Sequence, residues 1–220
     1  MPTRLFLLAV LGVSTALAAS GPLSTHAEIA AAFHALDSNG SGAIFPDEWR
    51  AASLALFAAL DKNHDGLIER AEIDDNALVR DTLPTTADGQ NAKLTKDEYL
   101  EWRDTIFNDA DIERAGYLTF VEYELLVVMQ RTGWSDTDHR GHVEMSDLRG
   151  VLEQAFKLLD VNHDGVLTGD ETAFLAPAHL SVMDPKKSGR ITLGQLINGF
   201  RFLLGADEVN RNVESGASPP

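Results

Sequence analysis

Three stretches of this 220-residue chain carry oxygen-bearing side chains at alternate positions and close on a glutamate. They are Asp37-Ser-Asn-Gly-Ser-Gly-Ala-Ile-Phe-Pro-Asp-Glu48, Asp61-Lys-Asn-His-Asp-Gly-Leu-Ile-Glu-Arg-Ala-Glu72 and Asp160-Val-Asn-His-Asp-Gly-Val-Leu-Thr-Gly-Asp-Glu171. Asp, Asn, Ser and Glu offer carboxylate, carboxamide and hydroxyl oxygens. Such a set suits a hard divalent cation, and calcium takes about six to eight oxygens at about 2.3–2.6 Å. The glycine at the sixth place of each stretch permits a sharp turn because it has no Cβ.

The elements that must position these oxygens follow from repetition. The same twelve-residue frame recurs in weaker form at Ala87 to Glu98, Asp111 to Glu122, Asp136 to Asp147 and Asp184 to Gln195. The seven frames start at 37, 61, 87, 111, 136, 160 and 184, a period of 24 to 26 residues. A near-constant period marks one supersecondary unit repeated. The eighth place is apolar throughout: Ile44, Ile68, Leu94, Leu118, Val143, Leu167 and Ile191. Ahead of the frames, Phe33 and Leu36, Phe57 and Leu60, and Phe156 and Leu159 stand three residues apart, which places each couple on one helix face. An amphipathic helix therefore enters each loop. Only about a dozen residues separate most frames, room for one helix and not two. Pro84 is expected to end the helix after the second loop and Pro177 to kink or split the one after the sixth. Pro46 falls in a first helical turn, where its missing N–H costs little. Trp49, Tyr99, Trp102 and Tyr123 are expected to pack in the core. The fold class is all-α, built from tandem helix–loop–helix units.

The three complete loops resemble those of the EF-hand calcium-binding superfamily, and the repeat covers about residues 27 to 204. That resemblance assigns the roles. Places 1, 3, 5 and 12 supply side-chain oxygens, place 7 a backbone carbonyl, and place 9 acts often through water. In the first loop these are Asp37, Asn39, Ser41 and Glu48 with the carbonyl of Ala43, and Phe45 stands at place 9. In the second they are Asp61, Asn63, Asp65 and Glu72 with the carbonyl of Leu67, and Glu69 at place 9. In the sixth they are Asp160, Asn162, Asp164 and Glu171 with the carbonyl of Val166, and Thr168 at place 9. The ion implied is Ca2+. The family usually spaces its hands more widely, with two helices between loops, and this chain departs from that. A leader followed by closely spaced hands is similar to secreted bacterial multi-EF-hand proteins.

The other four frames are incomplete. Frame 111–122 keeps Asp111, Glu113, Thr119 and Glu122 but has Ala115 at place 5. Frame 136–147 keeps Asp136, Asp138, Glu144 and Asp147 but has Arg140 there. Frame 184–195 has Lys186 at place 3, whose charge is expected to stand in for the ion's, and neutral Gln195 at place 12. Frame 87–98 lacks an acid at place 1 and has Ala92 for the glycine. The last two read as structural repeats.

Composition narrows the remaining options. Residues 1–18 read as a secretory signal peptide: Arg4, an uncharged run from Leu5, and Ala16-Leu17-Ala18 as the cleavage signal. The chain is thus expected to be exported, periplasmic or secreted, and soluble, with no later segment apolar enough to span a membrane. It has no cysteine, so metal and core rather than disulfides must hold it, and it has no lipoprotein cysteine. The net charge of −16 disfavours nucleic acid, whose phosphates need Lys and Arg. Zinc is disfavoured by the absence of cysteine and of an H-x-x-x-H pair. No nucleophile elbow, P-loop or Cys–His set points to an enzyme. His64 and His163 stand at place 4, which faces solvent. The domain plan is 1–18 leader, 27–130 with the first four repeats, 131–204 with the last three, and 205–220 as a disordered polar tail.

The function implied is calcium binding by a non-enzymatic protein that buffers calcium or is stabilised by it. The alternative is a calcium-dependent adaptor that offers a protein partner an apolar groove. Such grooves are often Met-rich, and beyond the leader this chain has only Met129, Met145 and Met183. Ligand charge ranks the complete loops second, sixth, first. If one helix of roughly 22 Å links consecutive loops, neighbours lie at opposite ends of it. Each loop is then expected to pair with the next but one, Ile44 beside Leu94 and Ile68 beside Leu118; the alternative is that the linking segments break, as Pro84 and Pro177 would allow at their two joints, and neighbouring loops pair directly.

Overall fold

The computed structural model of the chain describes residues 25–73, 93–132 and 146–214. The leader, Pro84, the start of frame 87–98 and all of frame 136–147 up to Met145 lie outside the described residues. Helix α1 (His26–Leu36) starts on a capping box: the Glu28 N–H donates to Thr25 Oγ1 at 3.4 Å, and the Thr25 N–H donates to the Glu28 carboxylate at 2.8 Å. Helix α2 (Pro46–Leu60) opens on Pro46 in its first turn and runs unbroken from the first loop to the second. Strand β1 (Leu67–Ile68) and helix α3 (Arg70–Ile73) follow. Strand β2 (Leu94–Thr95) leads into helix α4 (Lys96–Ala110), which runs unbroken to the fourth loop, and helix α5 (Phe120–Thr132) leaves that loop. Helix α6 (Leu148–Leu159) enters the sixth loop. Strand β3 (Leu167–Thr168), a 3-10 turn (Gly169–Thr172) and helix α7 (Pro177–Met183) separate it from the seventh. Strand β4 (Arg190–Ile191) and helix α8 (Leu193–Glu214) close the described chain.

The loop pairing overturns the next-but-one expectation. Ile44 and Leu118 exchange two backbone hydrogen bonds of 2.9 Å, joining the first loop to the fourth. Antiparallel β1 and β2 set Ile68 against Leu94, joining the second loop to the third. Antiparallel β3 and β4 set Leu167 against Ile191, joining the sixth to the seventh. The premise behind the expectation holds where the link is one helix, since α2 and α4 do keep their two loops apart. It fails where the link folds back. Between the sixth and seventh loops the chain makes a 3-10 turn and restarts as a helix at Pro177, so these neighbours meet. Once the second and third loops also meet, α2 and α4 must run antiparallel, and the first and fourth loops meet at the other end.

Side chains confirm that antiparallel course. Near one end Phe57 lies beside Tyr99 with ring centroids 5.5 Å apart, and near the other Trp49 lies beside Phe107 at 5.8 Å. Between them the buried Arg103 guanidinium sits 4.2 Å from the Trp49 ring centroid, a cation–π contact. Arg103 Nε donates to Ser53 Oγ at 3.1 Å, and Trp49 Nε1 donates to the Arg103 carbonyl at 2.9 Å. The expected core roles of Trp49, Tyr99 and Tyr123 hold, while Trp102 is half-buried between the two apolar clusters.

Each eighth-place residue within the described chain is buried: Ile44, Ile68, Leu94, Leu118, Leu167 and Ile191. Helix α5 is buried on every side from Val121 to Met129, as a central helix must be. The main apolar cluster runs from Ile29 and Phe33 of α1, through α5 and α6, to Leu204 of α8. It therefore joins the first four repeats to the last three across residue 130. A smaller cluster around Phe57, Ile68, Leu94 and Tyr99 underlies the second and third loops. The expected polar tail is helical as far as Glu214. A helix already nucleated extends with one hydrogen bond gained per residue, and α8 carries on past the packed residues that start it. Among the described residues no helix is long and apolar enough to cross a membrane.

Candidate metal centres

All fifteen expected ligand residues lie in described loops, and each loop begins where a helix stops. Asp37, Asp61 and Asp160 are the C-caps of α1, α2 and α6. Glu48 and Glu72 fall in the first turns of α2 and α3, and Glu171 in the 3-10 turn. The glycine at place 6 has φ of 84°, 84° and 80° in Gly42, Gly66 and Gly165, the left-handed region a side chain rarely adopts. His64 and His163 at place 4 also lie there, at 61° and 58°, and both are exposed as expected.

The loop's own N–H groups gather its oxygens. In the second loop the Asp65 N–H is shared between Asp61 Oδ1 at 3.1 Å and Asn63 Oδ1 at 2.8 Å. In the first, the Ser41 N–H is shared between Asp37 Oδ1 at 2.9 Å and Asn39 Oδ1 at 2.8 Å. In the sixth, the Asp164 N–H is shared between Asp160 Oδ1 at 3.0 Å and Asn162 Oδ1 at 2.8 Å. One donor thus draws the oxygens of places 1 and 3 together. The glutamate at place 12 then ties the two ends of the loop. Glu72 Oε1 accepts from the Asn63 N–H at 3.1 Å while its Oε2 accepts from the Glu69 N–H at 2.9 Å. Glu48 and Glu171 repeat both bonds with Asn39 and Phe45, and with Asn162 and Thr168. Burial pushes the Glu48 carboxyl up, but the hydrogen bonds from Phe45, Asn39 and Ser38 outweigh it and hold it below its ordinary value.

This donor set fits calcium. It mixes carboxylates with neutral amide, hydroxyl and carbonyl oxygens, and it contains no nitrogen or sulfur ligand. Among the described residues no group of three or more His, Cys, Asp or Glu side chains is placed to hold a metal ion by itself. Asp61, Asn63, Asp65 and Glu72, with their counterparts in the other two loops, are the side chains that would hold the ion.

The incomplete loops keep the turn while losing ligands. In the fourth, Asp111 still accepts from Ala115 and Gly116, and Glu122 from Glu113 and Thr119. In the seventh, Lys186 is exposed and makes no ion pair among the described residues. The loop is closed instead by Ser188 on Asp184 and by Gln195 Nε2 donating to the Met183 carbonyl at 3.0 Å. Two features went unread in the sequence. Thr95, Thr119 and Thr192 at place 9 cap the following helix together with Glu98, Glu122 and Gln195; the T-x-x-E spacing of a capping box was the available signal. Glu124, fully buried on α5, accepts from the Ala176 N–H at 2.7 Å and meets His179 Nδ1 at 2.7 Å, fastening α7 to the core. No periodicity marks that pair.

Residues 29–53, 54–75 and 152–175 match the EF hand family model, each segment containing one complete loop or its ligands up to Glu171. No curated protein matches the chain. The four incomplete frames fall outside the matched segments. The three matched segments, which share one loop geometry with oxygens alone as donors, are EF hands, and EF-hand domains bind calcium.

Proposed function

We propose that this is an exported, non-enzymatic protein in which the first, second and sixth loops each take one calcium ion, for buffering or for stabilising the fold. One observation carries the reading: every complete loop is paired with an incomplete one, 37–48 with 111–122, 61–72 with 87–98 and 160–171 with 184–195. One ion per pair suits storage or bracing better than a paired, cooperative switch. Bound calcium supplies a divalent charge that offsets repulsion among the loop carboxylates. Asp37, Asp61 and Asp160 anchor the turn, Asn39, Asn63 and Asn162 with Ser41, Asp65 and Asp164 fill its middle, and Glu48, Glu72 and Glu171 close it. Export rests on the leader Met1 to Ala18. An adaptor's Met-lined groove finds little support, because Met129 and Met183 are buried.

Thermal melting together with an apolar-surface dye tests this. The chain should melt higher in millimolar calcium than in chelator, since ligand that binds only the folded state adds stability by mass action. Dye binding should not rise with calcium. Equal melting would contradict calcium bracing, and a calcium-induced rise in dye binding would favour the adaptor.

A further inference from the structure

The strand pairings set place 9 of each complete loop opposite place 7 of its incomplete partner. In the first pair these residues are Phe45 and Tyr117, whose rings lie 5.4 Å apart. In the sixth–seventh pair they are Thr168 and Arg190. In the second–third pair the register of Leu67 with Thr95 and Ile68 with Leu94 brings Lys93 onto Glu69, with Nζ 2.5 Å from Oε1. Among the three complete loops only the second has an acid at place 9, and that acid is met by a cation from the neighbouring loop.

We propose that Lys93 is an affinity-setting residue for calcium in the second loop, holding Glu69 and placing a positive charge beside the ion's position. The inference rests on the calcium reading of that loop. Place 9 contributes to the ion directly or through a water. A carboxylate oxygen held by an ammonium contributes less charge there, and the ammonium itself repels a divalent cation. The Lys93 ammonium is held above its ordinary pKa by the Glu69 hydrogen bond and charge, opposed by slight burial, with Asp65 adding a further favourable charge. Counting acids ranks the second loop first, and Lys93 brings it down toward the sixth. The third frame, which lacks the acid at place 1, thereby has a role toward its partner.

The test uses the full chain carrying Glu48→Gln and Glu171→Gln, so that the second loop supplies the calcium step, followed by calorimetric titration. This parent should bind one calcium ion, and adding Glu72→Gln should abolish it. Adding Lys93→Gln instead should tighten binding about three- to tenfold in dilute buffer, and the gain should fall below about twofold in 1 M KCl, where the Debye length is about 3 Å. Lys93→Arg should keep the parent affinity. With Glu69→Gln already present, Lys93→Gln should change affinity less. At 54% side-chain exposure, Lys93 can be replaced without opening the core. A parent that binds no calcium would sink the calcium reading of this loop and the Lys93 inference with it. A parent that binds normally while Lys93→Gln leaves affinity unchanged or weaker would overturn the Lys93 inference alone.

Discussion

The glutamate that ends each loop is also an early residue of the helix or turn that follows, and the two roles separate by substitution. Gln195 occupies this place in the seventh loop and still accepts from the Thr192 N–H at 3.0 Å. Glu72→Gln should therefore keep the helix start and lower calcium affinity at the second loop at least about tenfold. Glu72→Ala should lose both, costing about 1 kcal/mol of calcium-free stability besides; calorimetry and melting in chelator read the two effects. Glu124 makes a different prediction. Glu124→Ala leaves the Ala176 N–H and His179 unpaired in the core, and should cost about 2–4 kcal/mol with or without calcium. Acid should also weaken the calcium-free chain. Hydrogen bonds from the Thr95 hydroxyl and N–H lower the Glu98 pKa, and those from Ser188 and Gly189 outweigh burial and lower that of Asp184. Glu48 is lowered as well. Groups depressed in the folded state stabilise it above their unfolded pKa and lose that contribution as pH falls through the folded value. Melting in chelator should thus be steady near neutrality and drop as pH falls below the ordinary carboxylate range toward the lowered values of these three groups.

At the scale of elements, the loops and their entering helices were legible because their signals are local. Asp37, Gly42, Ile44 and Glu48 each answer to a fixed place in a twelve-residue frame, and Phe33 with Leu36 to one helix face. Pairing was not legible, because it turns on what the linking segments do. Trp49 to Leu60 continues as helix α2, whereas the link before Pro177 folds back; the next-but-one reading gave the wrong partners, and the alternative of a break at Pro177 gives the sixth–seventh pair. The burial of Glu124 against His179 was hidden for a similar reason: their separation of 55 residues leaves no periodic trace. The continuity of α2 is itself testable, since this helix carries Glu48 at one end and ends at Asp61. Ala55→Pro, at an exposed position, should cost about 3 kcal/mol or more and weaken calcium at the first and second loops together. Site-resolved titration that finds only one of them weakened would show that α2 does not act as a common support.

For the whole molecule, the pairing of each complete loop with an incomplete one separates the sites. The first and second loops stand at opposite ends of α2, roughly 22 Å apart by helix rise, well beyond the Debye length of about 8 Å at physiological salt. No two complete loops share a strand contact. Binding at one should leave the others nearly unchanged, and the free energies of the three steps should add. A calorimetric calcium titration of the chain at physiological ionic strength tests this most directly. We expect three ions bound without positive cooperativity, and two in Glu72→Gln. No measurable uptake, a sigmoidal isotherm, or an ion count unchanged by Glu72→Gln would contradict the account.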